Sequence, residues 1–392
     1  LEKINTLGLV YTIHGANQQL APTLMLAHQD VVPVGDPAAW RYPPFDAYYD
    51  GEWLWGRGAS DDKNSLTGIL SAVEALLDQG WEPTRTLILA FGFDEECSGV
   101  KGARKLAEHL TDRYGDGSMA VILDEGGEGL TSLDDDVVYA LPAVMEKGHV
   151  DIWLELHVRG GHSSIPFAHT GIGIVAEIIE ALEANPFPAA LLEKNPLYNR
   201  LICLAQYSPD AWPGLGDLLK DGDLRAVTDA IVSAGGGLQY LIQTSQAVDV
   251  IEGGQKINAM PEIITLGTNY RVAPQDSIHS VQKNYLNVIA DIVHKYNLNV
   301  VAFEGDDGFD AYLAEAGSER LVQQSGNADY NGTLILSTSQ VSQVTPTSPM
   351  SGSVWNAFAG AVQHTWAAEG RTVVPAGSIM NGNTDTRHYL SE

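Results

Sequence analysis

The stretch TLILAFGFDEE, residues 86–96, decides the reading of the fold. An almost unbroken apolar run ends abruptly in three acids. Such a run suits a strand covered on both faces, the kind found in a parallel sheet. Working outward, TLMLA (23–27) runs into His28-Gln29-Asp30, and MAVIL (119–123) runs into Asp124-Glu125-Gly126-Gly127. Between these runs lie helical patterns. Residues 62–79 place Leu66, Ile69, Leu70, Val73, Leu76 and Leu77 at helical spacing, with Gly80 to stop the helix. Residues 98–110 place Ala103, Leu106, Ala107 and Leu110 on one face. Strand and helix in alternation predict an α/β layer with a largely parallel sheet.

The pattern changes near Gly148. HVDIWLELHVR (149–159) is longer and alternates, as in a sheet with one wet face. A helix is expected at 172–184, ended by Pro186 and Pro188, then a mixed helical insertion over roughly 190–240. Strands at 247–252 and 262–272, a helix at 277–296 and a strand at 299–303 complete the set. Strand, helix, strand, strand, helix, strand is the split-βαβ order. The expectation is therefore an α/β catalytic domain (1–147), an inserted ferredoxin-like α+β domain (148–308) and a return to the catalytic domain (309–392).

Composition narrows the function classes. Of 392 residues, 44% are hydrophobic and 18% charged, so the chain should fold, and its length suits two domains. With 50 acidic and 22 basic residues the formal net charge is −28, which argues against nucleic acid or an anionic membrane as partner. Cys97 and Cys203 cannot build a disulfide framework, and without a Cys-x-x-Cys any metal must take His and carboxylates. No run of ~18 apolar residues is long enough to cross a membrane. The chain opens without Met and almost at once in strand-like sequence, so upstream residues are expected to be missing. Asn331-Gly332-Thr333 is a glycosylation acceptor pattern that matters only on a secretory route.

In open α/β sheets, sites form beyond the carboxyl ends of the strands. Three expected strands end in potential metal ligands, and a fourth acidic pair, Asp61-Asp62, opens the first long helix. Any one of these acids alone reads as a solvated loop residue. Together, with Gly56-Arg57-Gly58 before Asp61 and Gly126-Gly127 after Asp124, they read as one rim. Such acids repel one another unless a cation joins them, and zinc accepts both imidazole nitrogen and carboxylate oxygen.

LAHQDVVPV (26–34), WGRGASDDKNSL (55–66), DEECSGVKGA (94–103), ILDEGG (122–127), GGHSSIP (160–166), INAMPE (257–262) and GNTDTRHY (382–389) occur in that order. In this the chain resembles the zinc metallopeptidase family that includes carboxypeptidase S, aminoacylase, glutamate carboxypeptidase and succinyl-diaminopimelate desuccinylase, most closely the carboxypeptidase S branch. The resemblance covers nearly the whole chain and implies two Zn2+ per active site in the complete protein. It implies that His28 and Asp124 hold one zinc, Glu96 the other, and that Asp61 bridges both. Asp30 would orient the His28 ring, and Glu95 would be the general base that shuttles a proton from the metal-activated water to the leaving amine. His162 would stabilise the oxyanion, often in a partner subunit's site, while Asn258 and Arg271, with Gly382, Asn383 and Thr384, would grip the substrate carboxylate. A cis Asp61–Asp62 peptide is also implied.

Cleavage of the amide bond next to a free C-terminal carboxylate in short peptides follows as the expected activity. N-acyl amino acid hydrolysis is the alternative at the same site, and a metal-poor binding protein the alternative from another class. A homodimer through the inserted domain and a vacuolar or secretory location are implied more weakly. Relatives place a further zinc-ligand His some tens of residues beyond the segment like GNTDTRHY, so that ligand is expected beyond Glu392. The alternative is that His388 substitutes for it, although in close relatives that position is not the ligand, and Cys97 reads as a small packing residue.

Overall fold

The computed structural model describes residues 1–132, 136–315, 332–367 and 370–391. The acceptor Asn331 lies outside them. The chain divides into two compact units, Leu1–Gly127 with Ser351–Ala361 and Asn383–Glu392, and Glu128–Met350 with Val362–Gly382.

The first unit is built on a five-stranded sheet of β1 (Glu2–Ile4), β2 (Gly8–Ile13), β3 (Thr23–His28), β4 (Leu87–Gly92) and β5 (Val121–Leu123). Its order is β1-β2-β4-β3-β5. β3 runs parallel to β4 and β5, while β1 and β2 join antiparallel at one edge. Every residue of β4 is buried, the physical meaning of its unbroken apolar run. Helices α1 (Lys63–Asp78) and α2 (Ala103–Tyr114) pack on this sheet. The α2 face Ala103, Leu106, Ala107 and Leu110 joins Val10, Leu24, Leu26, Ile88 and Ala90 in one cluster. Each large apolar side chain so buried contributes about 1.5–3 kcal/mol. Val73 of α1 joins Ala27, Leu89 and Phe91 in a second cluster.

α2 begins five residues later than the sequence pattern indicates. Ser98 and Gly99 adopt left-handed φ angles of 78° and 65°, which end one turn rather than begin a helix. The Asp94 carboxylate then accepts the Lys101 and Gly102 N–H groups at 2.7 Å each.

The second unit carries another five-stranded sheet. Its strands are β6 (Gly148–His157), β7 (Ser245–Gly253), β8 (Ile263–Val272), β9 (Asn299–Ala302) and β10 (Thr333–Ser342). Their order is β7-β8-β6-β10-β9. Alternate residues Val150, Ile152, Leu154 and Leu156 of β6 face inward. They meet Ile174, Val175 and Ile178 of α3 (Gly171–Ala184) and Val281, Tyr285 and Ile289 of α4 (Ile278–Tyr296). This is the expected ferredoxin-like arrangement with one strand added. β10 lies between β6 and β9, and its Leu334 and Leu336 are buried in the same core.

The bounds of the compact units therefore differ from 147 and 308. At the far end, β10 pairs with β6 and keeps the chain in the second sheet past residue 308. At the near end, Val137–Leu141 is fully buried in a three-stranded sheet with Gly129–Ser132 and Thr372–Pro375. Over 190–240 the expected helical insertion is three helices, Pro196–Tyr207, Leu215–Asp221 and Leu224–Ala234, around Leu197, Leu201, Leu215, Val227 and Ile231. Among the described residues, no helix is long and apolar enough to cross a membrane.

Candidate metal and catalytic centre

The parallel strands of the first unit deliver their last residues to one rim. His28 ends β3 and is buried. Its Nε2 lies 2.9 Å from Asp61 Oδ1 and 3.5 Å from Glu125 Oε1. Its Nδ1 lies 3.3 Å from Asp30 Oδ1 and 3.1 Å from the Asp30 carbonyl oxygen. Burial alone would lower the pKa of His28, but Asp30, Glu125 and Asp61 outweigh it and hold it up at about 10.

Asp30 does more than face the imidazole. Its Oδ1 accepts the Glu95 N–H at 3.1 Å and its Oδ2 the Glu96 N–H at 3.2 Å. One carboxylate thus ties the ring of His28 to the turn Glu95–Cys97 that follows β4. Glu96 Oε1 accepts the Val32 N–H at 3.0 Å, while the Glu95 side chain is only 11% exposed, with Arg387 Nη2 3.6 Å from its Oε1. The adjacent glutamates are held differently, Glu96 by a backbone N–H and Glu95 beside a guanidinium.

Asp61 and Asp62 are joined by a cis peptide, as the resemblance implies. The Asp61 side chain is 61% exposed at the rim, whereas Asp62 is buried and its Oδ2 accepts the His28 N–H at 3.1 Å. One ligand atom each from His28, Asp61 and Glu96 lie within 4.8 Å of one another. So do ligand atoms of His28, Asp62 and Glu125. Three of the four expected ligands come together in the first group, whereas Asp124 enters neither. Its neighbour Glu125 does, and Asp62 with it, two residues the sequence reading passed over. The signal was present as the acid pairs Asp61-Asp62 and Asp124-Glu125, but a pair does not reveal which member turns inward.

Burial pushes Glu125 up to about 8, offset in part by His28 and reinforced by Asp62, Asp124 and Asp61. It pushes Glu95 up to about 7 against the pull of Arg387 and His28. Asp385 rises to about 8 by burial and by Asp124 and Glu95. Carboxyls crowded this way are stabilised by a cation among them, and one imidazole with several carboxylates is a donor set that zinc takes. The residues present fit a metal centre.

The remaining expected residues fall elsewhere. In the second unit, Gly161–His162 pairs with Ala259–Met260 in a short ribbon. His162 is exposed there, its Nδ1 2.8 Å from Ser164 Oγ. Asn258 accepts the Ser163 N–H on its backbone oxygen at 3.1 Å, and its buried Oδ1 has no hydrogen-bond partner. Arg271 is half-buried on β8, opposite His149 of β6. Gly382 and Asn383 lead into Thr384, whose Oγ1 accepts the Thr386 N–H at 3.3 Å and caps the turn Asp385–His388. His388 Nε2 lies 2.9 Å from the Ser98 carbonyl, and His388 belongs to neither ligand group. Cys97 corrects the sequence reading, because it is exposed and so does not serve as a packing residue.

Together these units define the zinc-peptidase-like α/β class. The chain belongs to peptidase family M20/M25/M40, whose profile matches residues 24–392. It is similar to carboxypeptidase S of Saccharomyces cerevisiae, 36% identical over 401 residues, 99% of this chain and 66% of that protein. It is also similar to an N-fatty-acyl-amino acid synthase/hydrolase of Mus musculus, 33% identical over 287 residues, 72% of this chain and 55% of that one. The chain thus spans just under two thirds of the first relative's length and about half of the second's. An M20 family metallo-carboxypeptidase of Sulfolobus solfataricus shares the fold, with a TM-score of 0.61 at 17% identity over 100% of this chain and 78% of that one.

Proposed function

We propose that this chain carries the reacting groups of a zinc-dependent carboxypeptidase. It would cut the amide bond beside a free C-terminal carboxylate in short peptides, as in Gly-Xaa dipeptides. The observation that carries this reading is the Asp30 carboxylate, which touches His28 and receives the N–H groups of both Glu95 and Glu96. A ligand candidate and a base candidate are thereby fixed as one piece before substrate arrives.

Two zinc ions, when bound, would polarise the scissile carbonyl and make water a better nucleophile. Asp61, with a ligand atom within 4.8 Å of those of His28 and Glu96, would be shared between them. His28 with Asp124 or Glu125 would serve one ion and Glu96 the other. The Glu125 oxygen 3.5 Å from His28 favours Glu125 for that place. Glu95 takes the proton of the attacking water and passes it to the leaving amine. His162 donates to the oxyanion, and Asn258 and Arg271, with Gly382, Asn383 and Thr384, receive the substrate carboxylate.

N-acyl amino acid hydrolysis at the same centre is the second reading, favoured by the similarity to the N-fatty-acyl-amino acid synthase/hydrolase. A homodimer through the inserted domain and a vacuolar or secretory location belong to the same proposal. The test is a panel of blocked dipeptides and N-acyl amino acids, with zinc per chain measured in the parent, Glu125→Gln and Asp124→Asn. Cleavage of dipeptides is expected, with zinc lost in Glu125→Gln. Turnover of N-acyl amino acids alone would select the second reading. No turnover and no retained zinc would overturn both and leave a metal-poor binding protein.

A further inference from the structure

The turn Asp385–His388 meets the segment that follows β4 at three points. Asp385 fills the space over Gly92 and Gly99. A Cβ on Gly92 would stand 2.7 Å from Asp385 Oδ2, and one on Gly99 would also collide with the Asp385 carboxylate. His388 Nε2 sits 2.9 Å from the Ser98 carbonyl oxygen. Between these two anchors Arg387 reaches Glu95, Nη2 to Oε1 3.6 Å, with both side chains mostly shielded at 16% and 11% exposure. Glu95 is the ion-pair partner of Arg387 among the described residues, and the buried Arg387 Nε has no hydrogen-bond acceptor.

We infer that Arg387 is a positioning residue, holding the Glu95 carboxylate in the orientation from which it exchanges a proton with water and with the leaving amine. The inference rests on the proposed function and adds a residue to it. A guanidinium keeps its charge throughout the working pH range, and in a shielded site its attraction for a carboxylate is screened far less than at the surface. The centre is crowded with carboxylates, yet the cation is set against the proposed base. Asp385 and His388 hold the backbone on either side of Arg387, so its reach is fixed by the fold.

The experiment compares the zinc-loaded parent with Arg387→Met and Arg387→Lys on a cleaved dipeptide. Arg387→Met should lower kcat roughly 10²-fold, the scale of a small misplacement of a reacting group. KM and zinc per chain should stay unchanged, and Arg387→Lys should recover part of kcat. A raised KM with intact kcat would overturn the inference, because Arg387 would then grip substrate. Unchanged kcat in the Met variant would overturn it as well. If that variant does not fold, Lys alone decides, since a shorter point charge should still lower kcat without raising KM. If the parent cleaves nothing in the panel, the functional reading falls separately. Crystal structures then judge Arg387: Glu95 turned away in Arg387→Met supports the inference, and an unmoved Glu95 overturns it.

Discussion

The two units hold the histidines proposed for the site, His28 and His162, in different ways. In the first, contacts between residues far apart in sequence fix the proposed ligand and base side chains. Asp30 reaches Glu95 and Glu96 across 65 and 66 residues, and His28 meets Asp61 across 33. In the second, His162 is exposed and its ring bonds to Ser164, two residues away. The first arrangement exists only once the sheet has formed, so it is as rigid as the core beneath it. The second is local, and its orientation depends on a ribbon of two residues per strand. Disturbing the first should therefore damage chemistry most, and each prediction probes that contrast at a smaller scale than the one before.

The largest effect is expected at Glu95. Glu95→Gln keeps the shape and removes the proton acceptor, so kcat should fall roughly 10²–10⁴-fold. Zinc per chain should stay at the parent level. Near-parental turnover would move the base elsewhere and remove the first unit's claim to the chemistry.

His162→Ala comes next and tests the second unit. Loss of one oxyanion donor lowers kcat roughly 10²–10³-fold. KM, zinc content and melting temperature should not change, because the side chain is exposed and outside every core cluster. A change in stability without one in kcat would make His162 a part of the ribbon's structure alone.

Why the first unit was legible follows from the same contrast. β3 and β4 are covered on both faces, so they appear as apolar runs, and the polar residues that end them are conspicuous. His28, Asp30, Glu95 and Glu96 could be singled out for that reason. What was not legible depends on which of two neighbours turns inward. Asp124 and Glu125 lie just past the strand Val121–Leu123, where its strict alternation of side chains no longer assigns a direction to each. Nothing in their order says that Glu125 approaches His28. The late start of α2 was hidden in the left-handed φ of Ser98, a residue without the freedom of glycine. The strand Thr333–Ser342 was missed because its second half carries the polar run STSQVS, while only Leu334 and Leu336 enter the core.

Asp30→Asn asks how much the shared carboxylate matters to the metal. An amide keeps one acceptor but loses the charge facing His28 Nδ1, and such a change behind a ligand typically costs 10–100-fold in metal affinity. Zinc titration with a competing chelator reads this directly. Unchanged affinity would mean that the Asp30 contacts to Glu95 and Glu96 are structural only.

The smallest effect is expected at Cys97, within the same turn as the proposed base Glu95. Its N–H donates to the Asp94 carbonyl at 3.1 Å, a backbone bond that any side chain leaves intact. The side chain itself is exposed. Cys97→Ser should therefore change stability by no more than about 0.5 kcal/mol, as surface substitutions usually do, with kcat and KM unaltered. A packed thiol would behave otherwise, since a buried hydroxyl left without a partner costs about 1–3 kcal/mol. The useful comparison is Gly99→Ala, two residues on. There the chain holds φ at 65° and an added Cβ would run into Asp385, so the variant should unfold at a lower denaturant concentration than the parent. Denaturant midpoints for the two variants separate the turn's solvent side from the side clamped by the Asp385–His388 turn. If Cys97→Ser were the more damaging of the two, the exposed and anchored faces of this turn would have to be exchanged. The path by which Arg387 reaches Glu95 would then have to be redrawn.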